Sequence, residues 1–114
     1  MPEIRYYVAG SGEEPFAEWF AELDGAAAAK IARALVRMEQ GNLSYIKSVG
    51  EGVLEYRVDF GPGYRIYFGR DGDTIVVLLT GGTKKRQQRD IDMAHANWRD
   101  YRRSKRGRAR TDGD

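Results

Sequence analysis

The stretch from Val53 to Gly82 constrains the fold more than any other part of the chain. Val53 to Phe60 alternates with period two. Leu54, Tyr56, Val58 and Phe60 share one face, and Glu55, Arg57 and Asp59 share the other, the pattern of a strand. Gly61-Pro62-Gly63 follows, a triplet that no regular element absorbs. Tyr64 to Gly69 reads as the next strand, and Arg70-Asp71-Gly72-Asp73 as a second tight turn. Thr74 to Thr80 is almost wholly apolar, which predicts a central strand buried on both faces, with Gly81-Gly82 expected to end it. Two tight turns joining three strands make an antiparallel meander.

The remaining elements attach to that meander. Glu3 to Ala9 alternates as a strand until Gly10-Ser11-Gly12 breaks it. Pro15 suits the first turn of a helix, and Phe16, Trp19, Phe20 and Leu23 give it one apolar stripe. Ala26 to Gln40 reads as a second helix with Ile31, Leu35 and Met38 inward and Gly41 as the stop. Joined so closely, the two are expected to form an antiparallel hairpin. Ile91, Ala94, His95, Trp98 and Tyr101 recur at helical spacing and predict a last helix from about Gln88 to about Arg103. The expected fold is α+β in the order β-α-α-β-β-β-α, a small antiparallel meander with helices packed on one side. Residues 1–103 are expected to form one domain and residues 104–114 a basic flexible tail.

Composition removes several function classes. A chain of 114 residues with 13 aromatics has one modest core and is not a solvating segment. It has no cysteine, which excludes a disulfide scaffold and a thiolate metal site, and a single His argues against a His-based zinc site. No metal is expected. The longest apolar stretch, Ile75 to Leu79, is far too short to span a bilayer, and Met1-Pro2-Glu3-Ile4 opens no basic leader with an apolar run behind it. A cytoplasmic protein without membrane association is expected.

The net charge of +2 hides a strong polarity. Residues 1–83 hold eight Lys/Arg against twelve Asp/Glu, whereas residues 84–110 hold eleven against three. Such an asymmetry points the C-terminal quarter at an anionic partner, of which nucleic acid is the commonest.

Among chemical motifs, the P-loop, the GxSxG elbow and HExxH are all missing. His95 falls on the buried stripe of the last helix beside Trp98 and reads as structural. The notable cluster is basic and aromatic. Arg57 lies on the polar face of its strand, Arg65 stands two residues past the Gly-Pro-Gly turn, and Lys84, Lys85 and Arg86 follow the central strand. Tyr64 or Tyr67 stands among them. Arginine forks and lysine point charges suit a phosphate, and a tyrosine ring can stack on a base. Spacing alone leaves a second use open, in which Arg57 and Arg65 simply pair with Glu55 and Asp59 across the meander.

Leu54-Glu55-Tyr56-Arg57-Val58-Asp59-Phe60-Gly61-Pro62-Gly63-Tyr64-Arg65-Ile66-Tyr67-Phe68 resembles the central signature of the RelE/ParE toxin superfamily, and within it the HigB-like addiction-module killer branch. Leu78-Leu79-Thr80-Gly81-Gly82-Thr83-Lys84, then Gln87, Asp90-Ile91 and Ala94, is similar to the remainder of that signature. The resemblance covers roughly residues 3–103. It implies the toxin of a type II toxin–antitoxin system, a cofactor-free, metal-independent endoribonuclease that cuts mRNA on the ribosome and so inhibits translation. Its implied partners are mRNA, the ribosome and a helix-turn-helix antitoxin, with DNA met only through that antitoxin. Carried over by position, Arg65, Lys84 and Lys85 are the implied catalytic residues. Arg57, Tyr64, Tyr67, Arg86 and Gln87 are the implied RNA-binding ones. Two departures stand out: a second lysine of the RelE branch is Asp59 here, and that branch's helix tyrosine falls at Ile91. The RelE proton-transfer arrangement is therefore not repeated unchanged, with Tyr67, Asp59 and Gln87 as the remaining candidates. A ParE-like toxin that inhibits DNA gyrase by binding is the alternative.

Overall fold

The meander expected over residues 53–80 forms the middle of a five-stranded sheet. A computed structural model describes residues 2–112, with side chains as far as Lys105. In chain order the elements are β1 (Glu3–Tyr6), α1 (Pro15–Ala21), α2 (Gly25–Glu39), β2 (Ile46–Ser48), β3 (Val53–Val58), β4 (Tyr64–Asp71) and β5 (Ile75–Thr83). A 3₁₀ turn, Lys84–Arg86, then leads into α3 (Gln87–Asp112). The sheet order is β1-β5-β4-β3-β2. All neighbours are antiparallel except β1, which lies parallel to β5 along Glu3–Tyr6 and Ile75–Leu78. The two helices carry the chain from β1 to β2 at the opposite edge of the sheet, and the meander then returns to bring β5 alongside β1, the long connection that a parallel neighbour requires.

Sheet register decides which residues meet which helix. One cluster contains Phe16 of α1, Ile31 and Met38 of α2, and Tyr56, Ile66, Phe68, Val76 and Leu78 of the sheet. The other contains Val53, Tyr67, Val77 and Leu79 with Ala94 and Trp98 of α3. Helices therefore cover both faces, which corrects the expectation of a one-sided packing. The reason lies in β5, whose residues Ile75 to Leu79 are apolar on both faces and leave neither fit for water. A bulge opposite Tyr67 and Phe68 inserts Leu79 into β5, so that Leu79 and Thr80 are both spaced for the α3 face.

Three further differences from the sequence expectations have local causes. Gly81 and Gly82 do not end β5; they lie inside it and are fully paired with Ile66 and Arg65. The strand β2 is three mostly exposed residues whose place comes from backbone pairing with β3, so it carries no apolar alternation. The helix α3 runs on past the expected end near Arg103, through an arginine-rich stretch in which that good helix former outweighs the single Gly107. Asp24 caps α2 by accepting a 2.8 Å hydrogen bond from the Ala27 amide. His95 is structural, its ring held between the Val49 carbonyl at 2.9 Å and the Glu51 carboxylate at 3.0 Å.

Candidate active site

Register places Arg57 directly opposite Arg65 on neighbouring strands. Like charges facing across a ladder destabilise it unless something anionic comes between them. Their surroundings differ. Arg57 is exposed and lies 3.9 Å from Asp59, a pair open to solvent. Arg65 is only 6% exposed, and its Nε sits 3.7 Å from Glu55 Oε2. That distance is too long for a hydrogen bond, and the Arg65 Nε proton has no acceptor.

Glu55 is the anion beneath this arginine. It is 2% exposed and accepts a 2.9 Å hydrogen bond from Gln87 Nε2 at the start of α3. Tyr67 stands opposite it in register, its hydroxyl buried and unpartnered. Burial first, and then the Glu55 carboxylate, push the Tyr67 hydroxyl well above its ordinary pKa. Tyr67 is thus a neutral phenol at physiological pH and no base. Asp90, in the first turn of α3, is 6% exposed and also raised by burial, against which Arg86 and Arg89 act.

The Gly61-Pro62-Gly63 turn brings the lysines to the arginine. Gly63 adopts φ +82°, a conformation that favours glycine. Its carbonyl accepts a 2.9 Å hydrogen bond from the Lys84 amide, which pins the 3₁₀ turn beside the β3–β4 turn. Arg65 Nη1 and Lys84 Cβ flank the glycine, 3.4 and 3.6 Å from where a Cβ would stand. Lys84, Lys85 and Arg86 are exposed and make no ion pair among the described residues. Arg57, Arg65, Lys84 and Gln87 thus converge around one turn, with Lys85 and Arg86 beside them.

The two tyrosines do not join that surface. Tyr64 points to the opposite face, 8% exposed and edge-on to Trp19 at 6.3 Å between ring centroids. Tyr67 is fully buried. The exposed ring near these cations is Tyr45, 63% accessible, which lines a groove with Arg57 and with Lys30, Arg33 and Arg37 of α2. The pairing of Arg57 and Arg65 with Glu55 and Asp59 that the spacing left open is present, whereas sequence reasoning missed the buried Asp90 and this α2 contribution. Lys30, Arg33 and Arg37 do recur at i, i+3 and i+7, a helical-face signal that was available. Among the described residues no three His, Asp or Glu side chains converge as metal ligands, and no helix is long and apolar enough to cross a membrane.

Comparison with known proteins covers the whole of this arrangement. A protein of Haemophilus influenzae described only as uncharacterised is 41% identical over 80 residues, which is 69% of this chain and 81% of the relative. The model of a phage-derived protein family, Gp49-like (DUF891), matches residues 18–99, a span that takes in Glu55, Arg57, Arg65, Lys84, Lys85 and Gln87. With well over half of the chain and every strand of the meander inside that match, the chain belongs to the Gp49-like family, a RelE-like toxin family.

Proposed function

We propose that the chain is the toxin of a type II toxin–antitoxin pair, close to the HigB-like branch, and that it cleaves mRNA. The observation that carries this reading is the Arg65 guanidinium. It is buried, has one donor without an acceptor, faces a second arginine and lies beside an unpaired lysine turn. Such a site wants a phosphate.

The chemistry is a transesterification within the RNA. The 2′-hydroxyl gives up its proton and its oxygen attacks the adjacent phosphorus. The bond from phosphorus to the 5′-oxygen breaks, and that oxygen takes up a proton. The products are a 2′,3′-cyclic phosphate and a 5′-hydroxyl. Arg65 grips the non-bridging oxygens, and Lys84 and Lys85 stabilise the charge that grows on them. Arg57, Arg86 and Gln87 hold the flanking strand. Tyr45, with Lys30, Arg33 and Arg37, offers the stacking ring and backbone contacts that the buried Tyr64 and Tyr67 do not. The reaction takes place on ribosomes in the cytoplasm, and an antitoxin restrains it.

Primer extension on cellular mRNA after induction tests this. Wild type should arrest growth and produce discrete cuts, and Lys84→Ala/Lys85→Ala should do neither while melting at the parental temperature, since both side chains are exposed. Uncut transcripts with inhibited DNA gyrase would replace this reading with the ParE-like one.

A further inference from the structure

On the far side of β5 from β4 lies a cleft that shares only Arg86 with the proposed RNA site. The strand β1 pairs with β5 only as far as Leu78, and the Leu79 carbonyl accepts a 3.0 Å hydrogen bond from Asn97 Nδ2, so on that edge only residues 80–83 are left without a strand or side-chain partner among the described residues. A groove of about 590 Å³ opens there between α1 and α3. Glu18 of α1 and Glu22 just after it line one side, Met93 of α3 the other, and Trp19 packs onto Gly81 at the floor. Glu13 adds a further carboxylate, against the single cation Arg86.

The floor also holds Asp90. More than nine-tenths buried, it has an Oδ2 with no hydrogen-bond partner, and the residue makes no ion pair among the described residues. It leans on Gly82, where a Cβ would stand 1.8 Å from Oδ2. The chain thus gives up a side chain at Gly82 to seat a carboxylate whose Oδ2 no described residue hydrogen-bonds, with Arg86 and Arg89 acting on it only through their charge. An unsatisfied buried acceptor is costly, so a group that completes it from outside is strongly favoured.

We propose that this cleft is the docking site for an extended, cationic segment of a partner protein. The segment lies along the open edge of β5, places a lysine or arginine on Asp90 and sets an apolar side chain between Trp19 and Met93. An open edge supplies main-chain pairing, and the pocket beside it supplies specificity. The acidic lining selects a basic peptide and repels RNA. The inference rests on the reading of the chain as an antitoxin-restrained toxin, and it makes the basic part of the antitoxin the occupant.

The probe is a fluorescein-labelled peptide of alternating arginine and valine, with a glutamate–valine peptide as control, titrated by fluorescence polarisation against the full chain. The arginine peptide should bind and the glutamate peptide should not. Asp90→Asn should weaken binding by about tenfold or more. Glu18→Lys/Glu22→Lys changes two exposed positions and should weaken binding, flatten its salt dependence and leave RNA cleavage in the absence of peptide unchanged. Unaltered binding in both variants overturns the proposal. So does concentration-dependent dimerisation that these variants abolish, which would make a second copy the occupant. Binding is read without RNA, so a chain that cuts no RNA yet takes the peptide through Asp90 refutes the nuclease reading and keeps this one.

Discussion

At the residue scale, Arg65 does two things at once. It is buried against Glu55, so its removal leaves a buried carboxylate with no cation beside it and a single hydrogen bond, from Gln87. Arg65→Ala should therefore lose about 3 kcal/mol of stability as well as activity. Arg65→Lys should melt closer to wild type yet remain inactive, because a point charge does not reproduce the fork. Denaturant unfolding beside a cleavage assay separates the two effects, and an active Arg65→Lys would remove the fork from the mechanism. Asp90 has the opposite sign. Burial holds its pKa above the ordinary value, so the native chain binds that proton more tightly than the unfolded one. Stability then falls as pH rises through this window, and the deficit is complete above the folded pKa. Asp90→Asn should melt a few degrees higher than the parent at neutral pH, with the gap closing towards the ordinary aspartate range. Equal melting at neutral pH would mean that the carboxylate is already satisfied. The positions of Arg57, Arg65 and Lys84 were legible because turn spacing fixes them. The surroundings of Glu55 were not: alternation put it on a polar face, and only the arrival of α3 makes that face an interior.

At the scale of elements, the double glycine is where two helices approach the sheet. A Cβ on Gly81 would stand 2.2 Å from the Trp19 ring, and one on Gly82 would stand 1.8 Å from Asp90. Period-two alternation sends the two positions to opposite faces, so α1 closes on one and α3 on the other. Gly81→Ala should cost about 3 kcal/mol by overpacking against a ring wedged between elements. Gly82→Ala should be destabilising too, but Gly82→Ala/Asp90→Ala should recover much of that loss, since the clash is with the carboxylate. A double-mutant cycle by thermal unfolding checks this, and simple additivity would place the contact elsewhere. The sequence marks Gly-Gly as a strand end because glycine usually weakens strands. What it does not display is the ring or carboxylate that another element brings to each. The strands β3 to β5 were legible from turns and alternation, whereas β2, three residues held by backbone pairing, leaves no side-chain pattern to read.

At the scale of the molecule, charge is arranged by surface more than by position in the chain. The basic stretch from Lys84 onward was plain from counting, but folding adds Lys30, Arg33 and Arg37 to Arg57 on one side and gathers Glu13, Glu18 and Glu22 on another. We take the residues after Lys105, with three further arginines, as an electrostatic tether. Ending the chain after Lys105 keeps its hydrogen bond to Asp71 and should leave the cleavage sites unchanged. It should weaken ribosome binding and make its salt dependence shallower; an unchanged salt slope would dismiss the tether. The central claim, that this basic turn cuts RNA through the RNA's own 2′-hydroxyl, is tested most directly by the ends it leaves. Mass spectrometry of mRNA fragments recovered from ribosomes treated with the purified chain should find 2′,3′-cyclic phosphates and 5′-hydroxyls, and Lys84→Ala/Lys85→Ala should yield none. Fragments ending in 3′-hydroxyl and 5′-phosphate, or RNA left whole by a folded wild-type chain, would contradict it.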